Sequence, residues 1–267
     1  MILTRSAATV DNLVVLESTG STNDDLVARA ATSPDFSVVV TDTQTAGRGR
    51  LGRIWVTPPG KTLAISVLLR PRLPGGEPLE LDAFGWFPLL TGVAMAQAVG
   101  TVLPPERVGL KWPNDVLVEA DGVEAKVCGI LAQLVPAADA VVIGAGINLT
   151  IARDDLPTAT STSLALAGAD PTDLADVVLS AFLSALRELS TEFIRLGGDA
   201  EGSGIRSLVT EYCTTLGRDV RVEMPDGSLL TGVATGIDRS GRLQVTAGSD
   251  GRLTAVAAGD VTHLRYE

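Results

Sequence analysis

A glycine-rich basic loop at residues 43–55 (TQTAGRGRLGRIW) lies between two short apolar segments, and this connection limits the folds open to the chain. The flanking segments, 37–41 (SVVVT) and 62–69 (TLAISVLL), are rich in β-branched residues, which is typical of buried strands. We therefore expect the loop to join two strands. Folds in which a glycine-rich loop runs directly into a helix do not fit this order.

Three common phosphate-binding motifs are excluded by this context. Residues 47–52 have the spacing GxGxxG of a dinucleotide-binding fingerprint, but that motif requires a helix directly after it. A protein kinase has a glycine loop between strands but needs a catalytic His-Arg-Asp, and the only histidine is His263. Residues 60–62 (GKT) match the end of a P-loop, yet Trp55 stands where that motif needs glycine.

The loop reverses the sign of the charge carried by the rest of the chain. Its three arginines are interleaved with three glycines in a protein of formal net charge -11. Glycine lets the backbone approach a ligand closely, and the guanidinium group pairs with two phosphate or carboxylate oxygens at once. We expect the loop to hold a phosphorylated ligand. The acidic chain as a whole does not favour broad nucleic-acid binding, so no DNA partner is predicted.

The remaining composition favours a globular protein in a reducing compartment. Cys128 and Cys213 are too isolated to suggest a disulfide framework or a metal cluster, so no metal ligands and a cytoplasmic location are predicted. Residues 83–105 carry no charge and are long enough to span a bilayer. Their glycines, Pro88 and the lack of aromatic and basic flanks favour a buried core helix instead. No membrane association is predicted.

Strands and helices are predicted along the chain without regular alternation. Further strands are expected at 12–16, 108–112, 116–118, 126–135 and 141–147, and helices after 18–22 and over 171–196. The arms 116–118 and 126–135 are expected to form a hairpin around Asp121-Gly122. Turn dipeptides at 226–227, 240–241 and 250–251 predict a small β-barrel or sandwich. The fold class is therefore α+β, with domains at 1–216 and 217–267.

Five segments resemble the motifs of biotin-protein ligases and occur in that family's order. They are STN at 21–23, GRGRLGRIW at 47–55, KWPNDV at 111–116, KVCGIL at 126–131 and GAGINL at 144–149. The resemblance implies a mixed sheet with helices, related to class II aminoacyl-tRNA synthetases, followed by an SH3-like barrel. Because only about a dozen residues precede the first strand, where bifunctional members carry a winged helix-turn-helix domain, the catalytic-only type is expected.

The resemblance implies a two-step ligation. Biotin is activated by ATP to biotinyl-5'-AMP with release of pyrophosphate, and the biotinyl group then passes to a lysine of a biotin carboxyl carrier domain. Two anions meet in the first step, so cations are needed to stabilise the charge that develops. Arg48, Arg50 and Lys126 are the catalytic candidates. Mg²⁺ is expected to arrive with the ATP phosphates.

The resemblance also implies two sets of binding residues. Biotin carries a neutral ureido group, whose burial calls for hydroxyls and amides that donate and accept hydrogen bonds. The biotin candidates are Ser21, Thr22, Asn23, Gln44, Gly47, Arg48, Gly49, Arg50, Lys126 and Gly129. The nucleotide candidates are Arg50, Arg53, Trp55, Lys111, Asn114 and Asn148, with Trp55 stacked on adenine. The loop is expected to be mobile without ligand and to become ordered over the adenylate.

Several alternatives stay open at the level of sequence. A lipoate or octanoate ligase or transferase of the same fold typically has a glycine-rich stretch ending in histidine, which this chain lacks. A non-catalytic biotin sensor would bind ligand without turnover. Asp115 either positions Lys111 or caps a turn, and Cys128 has no neighbouring histidine that would make it a nucleophile. A monomer or weak homodimer is expected.

Overall fold

The computed structural model of the chain describes residues 1–55, 58–120, 122–248 and 251–264, which form two sheets and five α-helices. The helices are α1 Thr4–Thr9, α2 Thr22–Arg29, α3 Trp86–Val99, α4 Leu174–Arg195 and α5 Ile205–Tyr212. The strands of the first sheet are β1 Leu13–Val15, β2 Val38–Thr41, β3 Thr62–Leu69, β4 Val108–Lys111, β5 Asp115–Ala120, β6 Val123–Val135 and β7 Ala140–Asn148. Those of the second are β8 Asp219–Glu223, β9 Leu229–Ile237, β10 Leu243–Ala247, β11 Leu253–Val256 and β12 Asp260–His263.

The first sheet is mixed, as the sequence predicts. Its strand order is β1-β2-β3-β7-β6-β5-β4, in which β1 and β2 are parallel and every other pair is antiparallel. Every residue of β2 and β3 is buried because both faces of the sheet are covered. Helix α2 covers one face around Leu26, and α3 lies against the other. The glycine-rich loop therefore joins two buried strands.

The uncharged segment forms the central helix of the core, as predicted. Twelve of the 14 residues of α3 are buried. Pro88 lies in its first turn, where a missing backbone N–H leaves no hydrogen bond unmade. Helix α4 packs along α3, with the rings of Phe87 and Phe193 edge to face at 5.8 Å. In the described part of the chain, no helix is long and apolar enough to cross a membrane.

The second sheet is antiparallel, with strand order β11-β10-β9-β8-β12. Gly227 and Gly241, in two of the predicted turns, have φ of 81° and 79°, a conformation that favours glycine. Asp121 and Asp250, predicted for two other turns, lie outside the described residues. The second sheet docks on the first domain through Trp86, whose Nε1–H donates to the Arg239 carbonyl at 2.8 Å. The division at 216/217 stays a prediction.

Two helices, α1 and α5, have no counterpart in the sequence analysis. The N-terminus of α1 is capped by Asp176 of α4, whose carboxylate accepts hydrogen bonds from the backbone N–H groups of Arg5 and Ser6 at 2.8 Å each. The capping residue lies about 170 residues away in sequence, so no local sequence signal predicts the start of α1. Helix α5 starts after Gly204, which has φ of 74°.

Candidate active site

A cavity of about 380 Å³ opens over the middle of the first sheet. Its walls come from the N-terminus of α2, strands β3, β6 and β7, the glycine-rich loop and strand β12 of the second sheet. All residues predicted for the site line this cavity except Gly47. Gly47 lies just behind the wall, where an added Cβ would collide with Gln44 Nε2 and Trp55.

One end of the cavity is neutral and rich in hydrogen-bonding groups. Thr22 and Asn23 are buried at the start of α2, although their side chains are polar. Gln44 Oε1 accepts hydrogen bonds from the Thr22 backbone N–H at 2.9 Å and from Thr22 Oγ1 at 3.2 Å. Ser21 caps the helix, because its Oγ accepts from the Asp24 backbone N–H at 3.4 Å. This end can both donate and accept hydrogen bonds without carrying charge.

A buried serine that the sequence analysis missed joins these groups. Ser66 Oγ lies 2.8 Å from Thr22 Oγ1 and 2.6 Å from Asn23 Oδ1. It sits in the apolar strand β3, outside every motif, so its sequence context gives no sign of a site. Only the packing of α2 on β3 brings the three side chains together.

Glycines form the floor of the cavity because side chains lie directly on the sheet. An added Cβ at Gly144 would come within 2.9 Å of Asn23 Cγ, and one at Gly146 within 2.6 Å of Trp55 Nε1. An added Cβ at Gly129 would lie 3.1 Å from the Trp55 ring. The Trp55 Nε1–H is buried against this floor without a hydrogen-bond partner among the described residues.

Lys126 stands between the two ends of the cavity. Its Nζ forms an ion pair with Asp115 Oδ1 at 2.6 Å and lies 5.7 Å from the centre of the Trp55 ring. Asp115 therefore contacts Lys126, although Lys111 is its partner in the pairing of β4 with β5. The pairing of β5 with β6 shifts by one residue opposite Val116, and such bulges often direct a side chain into a site.

The other end of the cavity is cationic. Residues 47–55 form a small hairpin, in which the Gly49 backbone N–H donates to the Arg53 carbonyl at 2.7 Å. Arg50 donates to Asn114 Oδ1 at 3.0 Å and to the Gly259 carbonyl at 3.2 Å. Burial lowers the pKa of Arg50, and the nearby carboxylates only partly oppose this effect. Arg48, at the rim, pairs with Asp24.

Strand β12 of the second sheet supplies a wall that the sequence analysis did not predict. Asp260, Val261 and Thr262 line the cavity, and Asp260 pairs with Arg53. This hydrogen bond raises the pKa of Arg53. Burial alone would raise the pKa of the Asp260 carboxyl, but Arg53 and the charges of Lys111 and Arg50 bring it below its ordinary value. The second sheet thus takes part in the electrostatics of the site.

The remaining predicted residues have mainly structural contacts. Asn148 is buried, and its Nδ2 donates to the Thr162 carbonyl at 2.9 Å while the side chain lines the cavity. Asn114 Nδ2 donates to the Ile130 carbonyl at 2.9 Å. Burial strongly raises the pKa of the Cys128 thiol, which is unsuited to act as a nucleophile. Among the described residues, no three His, Cys, Asp or Glu side chains converge as metal ligands.

Two family models match the chain. The model of the biotin/lipoate A/B protein ligase family matches residues 15–148, which include the five motifs up to Asn148. The model of the biotin protein ligase C terminal domain matches residues 215–264, which contain all five strands of the second sheet. The SH3-like C-terminal domain implied by the resemblance is thus supported by its own match.

Individual relatives point the same way. The biotin--[acetyl-CoA-carboxylase] ligase of Mycobacterium tuberculosis is 38% identical over 95% of this chain and 89% of that protein. The bifunctional ligase/repressor BirA of Bacillus subtilis is 31% identical over 86% of this chain and 66% of that protein. The structure of biotin protein ligase from Aquifex aeolicus in complex with biotin and ATP has a TM-score of 0.70 and 25% identity, covering 96% of this chain and 100% of that one. The chain therefore belongs to the biotin/lipoate A/B protein ligase family, among its biotin protein ligases.

Proposed function

We propose that this chain is an ATP-dependent biotin-protein ligase that forms biotinyl-5'-AMP and then transfers biotin to a lysine of a carrier domain. The observation that carries the proposal is a single cavity with a neutral end and a cationic end that meet at Lys126. The similar Aquifex aeolicus enzyme binds both biotin and ATP, which supports the same pair of ligands here.

The neutral end suits the ureido head of biotin. Buried Thr22 and Asn23 and half-buried Gln44 offer hydroxyl and amide groups within one hydrogen-bonded network, and none of them is charged. A site built from such groups rejects ligands that lack the matching polar atoms, because its buried donors and acceptors would be left unpaired. Lipoate and octanoate have no ureido group, so this end favours biotin over both.

The cationic end suits ATP, and its position sets up the first step. Biotin bound at the neutral end would direct its carboxylate toward Lys126, beside Arg48 and Arg50. One carboxylate oxygen attacks the α-phosphorus, a P–O bond forms and pyrophosphate leaves. The cations reduce the repulsion between the two anions and stabilise the charge on the transferring group. Mg²⁺ enters bound to the ATP phosphates, because this ion commonly uses few protein ligands.

The loop and the glycine floor suit the second step. The adenylate is a mixed anhydride that water hydrolyses. Trp55 packs directly against Gly129 and Gly146, so it must leave this floor when the intermediate forms and then cover it from the loop side. The amine of the acceptor lysine attacks the acyl carbon, an amide bond forms, AMP leaves and the amine loses a proton. We assign Asn114, Asn148 and Lys111 to the nucleotide, and Trp55 to adenine.

The same proposal includes an acceptor protein, a role for Asp115, a cellular location and a second domain. The partner is a biotin carboxyl carrier domain, and Asp115 positions Lys126 through their ion pair. We place the enzyme in the cytoplasm, because both cysteines are free and buried. Among the described residues, strands β8–β12 pair only with one another, which supports a second domain from residue 217.

Intact mass of an acceptor carrier domain tests the function. The purified full chain, Mg²⁺ and ATP are incubated with the acceptor and either biotin, lipoate or octanoate. We expect one biotinyl group on the acceptor lysine and no modification with the other two acids. Modification with lipoate but not biotin would reassign the substrate, and biotin binding with an unmodified acceptor would indicate a sensor.

A further inference from the structure

Ser66 is a polar residue inside an otherwise apolar strand and does not itself line the cavity. Its side chain is fully buried between β3 and α2. We propose that Ser66 is a positioning residue that sets the ligand specificity of the neutral end by holding Thr22 and Asn23 in place. The proposal rests on the proposed function, because the ligand that it concerns is the ureido head of biotin.

The Asn23 amide contacts three neighbouring strands. Ser66 of β3 pairs with Gly144 of β7, which pairs with Leu131 of β6, so the three residues form one row across the sheet. Asn23 lies above Gly144, the middle residue of this row, where a Cβ would come within 3.0 Å of its Nδ2. Its Oδ1 faces Ser66 Oγ at 2.6 Å, and its Nδ2 donates to the Leu131 carbonyl at 3.4 Å. The missing side chain at Gly144 makes this arrangement possible.

The Ser66 hydroxyl is the side-chain donor that the described residues offer to Asn23 Oδ1. The same oxygen lies 2.8 Å from Thr22 Oγ1, and Thr22 in turn donates to Gln44 Oε1 through its backbone N–H and its hydroxyl. Because Gln44 Oε1 accepts these hydrogen bonds, the Gln44 Nε2 group lies beside Gly47 and can donate to a ligand. The Ser66 hydroxyl therefore fixes the orientation of the Asn23 amide and contacts Thr22, whose backbone N–H fixes the orientation of Gln44.

Removal of this hydroxyl has a defined consequence. In Ser66→Ala, the buried Asn23 Oδ1 loses its donor, and a buried polar group without a partner is costly. Asn23 and Thr22 are then expected to rotate away from the geometry that a ureido group requires. Arg50 and Lys126 have their own partners, Asn114 and Asp115, which do not contact Ser66 among the described residues. The defect should therefore appear in biotin recognition and leave ATP recognition unchanged.

The test measures the Kd of biotin by calorimetry and the KM values of biotin and ATP in pyrophosphate exchange, with the full chain. We expect S66A to raise the Kd and KM of biotin about ten- to hundredfold, with the KM of ATP within about twofold of wild type. The matched control is Ser37→Ala, a second buried serine whose Oγ donates to the Pro34 carbonyl at 2.8 Å.

The outcomes separate this proposal from the proposed function. A wild-type Kd in S66A, or equal losses for biotin and ATP, would overturn the role of Ser66 while leaving the ligase activity standing. If wild-type protein neither binds biotin nor catalyses exchange, the proposed function itself fails. If S66A does not fold, Ser66→Cys decides the question. Its weak thiol donor predicts an intermediate Kd, and a wild-type value would contradict the role.

Discussion

Replacing Gly144 by alanine tests how closely Asn23 lies against the sheet. The added methyl carbon would stand 2.9 Å from Asn23 Cγ, whereas non-bonded carbon atoms prefer about 3.5–4.0 Å. Asn23 must therefore move by about 1 Å into the cavity, because the β7 backbone is held by β3 and β6 on both sides. Gly144 has no positive φ, so the effect comes from space and not from backbone strain.

The expected cost follows from this displacement. Overpacking of a tight site costs about 1–3 kcal/mol, and the shifted amide also loses its alignment with Ser66 and Leu131. If most of this cost appears in the ligand complex, biotin affinity falls about ten- to hundredfold. The affinity for ATP should change little, because Gly144 does not touch the arginines or Lys126.

Calorimetric titration of biotin into the G144A variant provides the measurement. Gly20→Ala is the matched control, since an added Cβ at Gly20 meets nothing within 4 Å and Gly20 has no positive φ. Wild-type biotin affinity in G144A would refute the placement of Asn23 on the floor of the cavity. A large loss in G20A would show that alanine near α2 is harmful for another reason.

The remaining predictions concern catalysis, the loop and stability. Lys126→Ala should slow pyrophosphate exchange about 10²- to 10³-fold. The control is Lys61→Ala, which removes an exposed lysine and should leave the rate unchanged. Equal rates in both variants would contradict the role of Lys126. Trypsin should cleave at the arginines of residues 48–53 more slowly with biotin and ATP than without them, and equal cleavage would count against loop closure. Burial raises the pKa of the Asp176 carboxyl, but the hydrogen bonds from Ser6 and Arg5 outweigh it and hold the pKa below its ordinary value. Asp176 therefore stabilises the fold above the unfolded-state pKa of about 3.9, and this contribution is lost as pH falls through the folded pKa. Urea unfolding should show Asp176→Asn less stable than wild type at pH 7, with a gap that narrows toward pH 3; a constant gap would be inconsistent with the cap.

The parts of the fold that were predicted have local signals. Strand β3 was predicted with the bounds it has, because a run of β-branched and aliphatic residues ends at a lysine on one side and an arginine on the other. Helix α4 was predicted from its apolar spacing and its stop at Gly197, which has φ of 69°. Helix α1 was missed because its cap comes from Asp176, far away in the sequence.

The site residues also divide into those with a local sequence signal and those without one. Every residue predicted for the site except Gly47 lines the cavity, since the motifs contain charges, amides or glycines with a recognisable spacing. Ser66 and Asp260 were missed because each stands in a strand with no motif, and only tertiary packing brings them to Asn23 and Arg53. The partner of Asp115 was left open by the sequence, because β5 pairs with both β4 and β6.

Exchange of labelled pyrophosphate into ATP, in the absence of any acceptor, isolates the step at which the two ends of the cavity act together. Wild-type chain with Mg²⁺ and ATP should show exchange that depends on added biotin and is absent with lipoate or octanoate. Because the reverse reaction requires the adenylate, this result would show that the chain activates biotin, and its loss in Lys126→Ala would place the step at Lys126. Exchange with lipoate alone, or no exchange from protein that binds biotin, would contradict it.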